Sequence, residues 1–179
     1  MTTSARETWT AILLILALAF VASLFQPMDA AEGAEPVVRP VLHLYSVTSH
    51  SGPGEYEDQH PGLGLEVQAS PDAASPWSYG IAGHYMAEDS HSLPCWWAGL
   101  TGGYTLGDRQ GWWLEPGLIA GVIQKPGLYN DDLGPLILPR LALGWGPVGL
   151  DLAYIPATAL TKRTAVAYAG LRWRFWGAR

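Results

Sequence analysis

The chain has 179 residues, enough for one domain, with 49% hydrophobic but only 15% charged residues and a formal net charge of −6. About a quarter of residues are charged in ordinary soluble domains, so the charge is low for that class, although a soluble β-sandwich or lipocalin-like barrel stays the alternative. A nucleic-acid surface needs clustered Lys and Arg that the chain lacks. Past residue 25 no apolar run reaches the roughly 20 residues of a membrane helix, which leaves strands as the way across a bilayer.

Residues 1–33 read as a secretory signal. Arg6 precedes an apolar run from Ala11 to Phe25, Pro27 breaks it, and Ala30, Ala31, Gly33 and Ala34 supply small residues for cleavage. Positive, apolar, then small is the order of such a signal. No cysteine follows the run, which excludes a lipoprotein anchor. Residues 34–179 are then expected to be a single domain. Its one cysteine, Cys95, allows no intrachain disulfide and reads as a small apolar wall residue.

That domain alternates short strand-like runs with turn signals. Val41–Ser49 comes first, then Pro61–Ser70, with Leu63, Leu65 and Val67 on one face and Gly64, Glu66 and Gln68 on the other. Trp77–Ala87, Trp96–Leu106 and Trp112–Ile123 follow, the last weakened by Pro116. Leu136–Gly144 and Val148–Ile155 flank the tight turn Trp145-Gly146-Pro147, and Ala165–Phe175 closes the series with Leu171, Trp173 and Phe175 alternating with Arg172 and Arg174. Strict period two with apolar and polar faces is the pattern of a strand between lipid and a polar lumen. The fold class expected is all-β, an eight-stranded antiparallel transmembrane β-barrel of the bacterial outer membrane. Nine Trp and eight Tyr suit its interfacial girdles, and a single barrel is taken as a monomer.

Connection lengths orient it. The turns at 70–75, 107–111 and 145–147 are short, whereas 51–60, 88–95, 124–135 and 156–163 are mostly longer. Long loops face outward in such barrels, so His50, His60, Asp89, Ser90 and His91 gather at the outer mouth. A hydroxyl, an imidazole and a carboxylate are the parts of an acyl-transfer site. They are also the parts of a wet loop, because Asp-Ser is a common turn dipeptide. No metal-ligand spacing, phosphate loop or nucleotide fingerprint is present, so no cofactor and no metal is called for.

The stretch PLILPRLALGWGPVGLDLAYIPATA, residues 135–159, resembles the outer-membrane lipid A palmitoyltransferase family at Pro139, Gly144, Gly146, Pro147, Tyr154, Ile155 and Pro156. Shorter similarities join Leu44-Tyr45 and His50 to Pro61-Gly62-x-Gly64, and Asp89-Ser90 to Ala98-Gly99. The resemblance implies acyl transfer from a phospholipid donor to a lipid A acceptor, with His50 as general base, Asp89 orienting it and Ser90 as hydroxyl partner. It also implies substrate contacts at Gly99 and Thr101, Thr101 shortening the acyl pocket, and sideways lipid entry near Pro61, Pro139 and Pro156. The alternative is a non-catalytic small barrel with an envelope or adhesion role. A hydrolase built on the same trio is a third reading.

Overall fold

The computed structural model describes residues 35–51, 59–88, 92–125, 133–155 and 165–175. Ten strand segments lie in these residues: β1 (Val37–Ser51), β2 (Gln59–His60), β3 (Gly62–Ser70), β4 (Trp77–Met86), β5 (Cys95–Tyr104), β6 (Leu106–Gly107), β7 (Trp112–Gln124), β8 (Leu133–Trp145), β9 (Val148–Ile155) and β10 (Ala165–Arg174). Segments β2 and β3 form one stave, interrupted at Pro61, and β5 and β6 another, interrupted at Thr105. All neighbours are antiparallel, and β10 pairs back onto β1, which closes an eight-stave barrel. Closure matters because lipid offers no partner for an open sheet edge.

Side chains sort as the period-two reading requires. Leu63, Leu65 and Val67 are exposed on the outside, and Glu66, Gln68 and Ser70 are buried within. Ile81 (67% exposed), Leu141, Leu150 and Leu171 continue the outer belt, an exposed apolar surface too broad for a soluble domain. Trp77, Trp112, Trp145 and Trp173 ring its short-turn end, with Trp112 and Trp145 packed edge to face at 5.2 Å. Tyr45, Tyr85 and Tyr154 stand towards the opposite end. This is a transmembrane barrel of the outer-membrane type.

The prolines sit where the ladders pause. Pro116 falls between the pairs Gly103↔Gly117 and Leu106↔Leu114, so its missing N–H coincides with the break between β5 and β6 and the strand runs through it. Pro139 still pairs with Leu118 of β7, but on its other side the β8–β9 ladder ends at Arg140↔Ala153. One feature departs from simple alternation. A bulge between His43 and Ser46 on β1 shifts the register against β10, so the inward positions change from Val41 and His43 to Ser46 and Thr48. It is this shift that turns His50 towards the interior.

The short-turn end is pinned by two side chains. Arg109, in the turn before β7, donates to the carbonyls of Ser75 (2.8 Å) and Pro76 (3.3 Å) and to the Thr105 hydroxyl. Burial lowers its guanidinium from the ordinary value, while Glu115 and Asp72 act in the opposite sense. Trp113 lies inside the wall, its indole N–H donating to the Gly146 carbonyl at 2.9 Å. A methyl group on Gly149 would stand 2.5 Å from the Trp113 ring. Gly149→Ala is therefore expected to cost about 1–3 kcal/mol by overpacking, read as a lower urea midpoint of the refolded barrel. An unchanged midpoint would show that Trp113 has room to move.

Candidate functional site: the ionic core and the outer chamber

Six of the eight staves send charged groups into the middle of the barrel. Glu66 accepts from both terminal nitrogens of Arg140 (3.0 and 3.1 Å), from the Thr101 hydroxyl (2.6 Å) and from Gln68 (3.0 Å). Glu115 accepts from Arg172 (3.2 Å), Arg174 (2.8 Å) and the Thr105 hydroxyl (3.1 Å). Asp151 pairs with Arg172 at 3.3 Å. His43 lies between two carboxylates, its Nε2 3.0 Å from Glu66 and its Nδ1 3.0 Å from Asp151. Only an imidazolium has an N–H for each. Arg172 and Arg174 also stack on Trp113, at 5.5 and 4.6 Å from its ring centre.

Glu66, Glu115 and Arg172 are wholly inaccessible to solvent. The charges therefore plug the barrel at this level and line no channel. Burying so many ions costs several kcal/mol each and is sustained only by dense mutual pairing.

Above the plug, towards the longer loops, lies a chamber of about 120 Å³. Its walls are Met86, Cys95, Trp97, Ile119, Leu136 and Leu138, and Arg140 and Asp151 form its floor. At its upper rim His60 Nδ1 is 3.1 Å from the Glu88 carbonyl. A carbonyl only accepts, so Nδ1 carries a proton, and Nε2 shares a hydrogen bond with the Thr48 hydroxyl at 2.7 Å. His50, half-buried beside them, has its Nδ1 3.4 Å from the same hydroxyl.

The residues singled out from the sequence fall partly within and partly outside the described residues. Asp89, Ser90, His91 and Pro156 lie outside the described residues, as do residues 1–33. His50 is at the chamber rim, next to Thr48, which alternation conceals because the bulge resets the register. Thr101 is only 1% exposed and its hydroxyl donates to Glu66, which places it in the ionic core. Gly99 permits the close approach of β5 and β7, since a Cβ there would stand 2.6 Å from the Ala120 carbonyl oxygen. Pro61 is the exposed break between β2 and β3, and its carbonyl accepts from the Ala87 N–H at 3.0 Å. Pro139 faces outward over a groove with Leu141, Leu152 and Tyr154. Ala153 borders the chamber, whose other walls are mostly large side chains.

No protein-family model matches the chain, and no curated protein matches it. Among solved structures it is similar to the crystal structure of Ail, the attachment invasion locus protein of Yersinia pestis, in complex with the heparin analogue sucrose octasulfate (17% identity, TM-score 0.45, 79% of this chain and 99% of that one). It is also similar to the backbone structure of the Yersinia pestis outer membrane protein Ail in a phospholipid bilayer nanodisc (14% identity, TM-score 0.43, 78% and 99%). These matches are to Ail and not to the lipid A palmitoyltransferase family. On these matches the palmitoyltransferase resemblance, the acyl-transfer reaction and the enzyme reading are corrected.

Proposed function

We propose that this chain is a non-catalytic outer-membrane barrel whose work is done by its outward loops, in attachment of the cell surface. The observation that carries this reading is the wholly buried plug of Glu66, Glu115 and Arg172. A barrel filled at mid-height is a rigid mount for loops, and loops on such scaffolds are where binding concentrates. Residues 1–33 serve as the secretory signal in this proposal, removed on the way to the outer membrane. Phospholipid and lipid A are then the barrel's surroundings and not its donor and acceptor.

Cells expressing the chain are expected to be retained on matrix-coated surfaces more than cells without it, and replacement of residues 52–58 by a two-residue turn should reduce that gain. The purified barrel should leave a planar bilayer electrically silent. Equal retention with and without the chain, or steady single-channel conductance of the wild type, would overturn the proposal. Sequencing the N-terminus of the outer-membrane form tests the signal separately.

A further inference from the structure

The outer chamber is a separate feature from the loops and from the plug. We infer that it is a binding site for one small uncharged hydrocarbon ring, of the size of benzene or toluene. Its volume of about 120 Å³ is close to that of dry cavities, near 150 Å³, that hold a benzene ring.

Polarity selects the ligand further. Trp97, Ile119, Leu136 and Leu138 give apolar walls, so most of the chamber offers a water molecule no hydrogen-bond partner. The charged floor makes its bonds among its own members: Arg140 is bidentate on Glu66, and Asp151 is held by Arg172 and His43. At the rim, the Thr48 hydroxyl is hydrogen-bonded to His60 and the His60 Nδ1–H donates to the Glu88 carbonyl. A charged ligand would lose its water among mainly apolar walls, with the floor's Arg140 and Asp151 already paired. An uncharged ring loses nothing of that kind, restores packing across an otherwise unfilled space, and meets the Trp97 ring on one side.

The test uses the full barrel in amphipol, with iodobenzene as the probe, because iodine quenches a nearby indole. The Trp97 component of fluorescence is the difference between the wild type and Trp97→Phe. It should be quenched saturably, with one ring per barrel, and toluene should relieve the quenching competitively. Ala153→Phe, which fills the chamber, should weaken the effect at least tenfold while the barrel keeps its heat-modifiable migration. Ile119→Ala, which widens it, should admit iodonaphthalene, a ring pair the wild type excludes. Linear, unsaturable quenching of the Trp97 component would overturn the inference. So would equal quenching in Ala153→Phe, or iodonaphthalene binding to the wild type as well as iodobenzene does.

Discussion

Glu115→Ala is expected to lower the unfolding free energy of the barrel by about 3–5 kcal/mol, the usual cost of breaking a buried ion network from one side. Glu115 is the acceptor for Arg172 and Arg174 and lies 3.4 Å from Arg140. Without it three buried guanidiniums share Glu66 and Asp151. Arg174 fares worst, since Glu115 is the acid it bonds at 2.8 Å. Removing both members in Glu115→Leu/Arg174→Met leaves Arg140 with Glu66 and Arg172 with Asp151, so the double variant should lose clearly less than the single one. Urea titration of barrels refolded into vesicles, followed by tryptophan fluorescence, reads both. A single variant within about 1 kcal/mol of wild type, below the range for a broken buried pair, would mean that the plug is hydrated and that its charges are screened.

The second large effect is on the opposite face. Ile81 pairs with Val67 on one side and Leu100 on the other, all three pointing outward at the middle of the wall. Ile81→Arg should cost about 2–4 kcal/mol in a bilayer, against about 0–1 for Trp112→Arg in the girdle, because the penalty depends on depth. In water the same surface change would be close to neutral. Equal and negligible losses at the two positions, measured by the same titration, would place the outer face in water and sink the transmembrane reading.

Most of the wall is legible in the sequence. Val148, Leu150 and Tyr154 alternate with Gly149, Asp151 and Ala153 by period two, and the structure puts the first set outside. Turn chemistry at Trp145-Gly146-Pro147 is equally plain, with Gly146 at φ 52° where a left-handed residue is required. The interior is less so. That Glu66, Glu115, Arg140 and Arg172 face inward follows from alternation, but that they converge at one height depends on strand stagger, which no single strand encodes. Thr48 is hidden for a different reason: Leu44 and Tyr45 together stand opposite Leu171 alone, and this one extra backbone position inverts the parity beyond it, while an apolar pair of that kind looks the same with or without a bulge. The resemblance in residues 135–159 marks a proline-interrupted strand, a tight glycine turn and a returning strand, which are features of barrel construction and carry no chemistry by themselves.

The end of the β8–β9 ladder at Arg140↔Ala153 has a mechanical consequence. Below that rung the two strands are paired down to Trp145↔Val148, and the ionic core ties the ring across its diameter. Above it Tyr154 and Ile155 are paired to β10 alone, while β8 continues upward against β7. The cross-section is thus stiff in its inner half and compliant along one line in its outer half, like a cuff slit part of the way down. Lateral pressure from the outer leaflet would deform the chamber before it disturbed the plug, and the two halves of the barrel would respond to their surroundings independently.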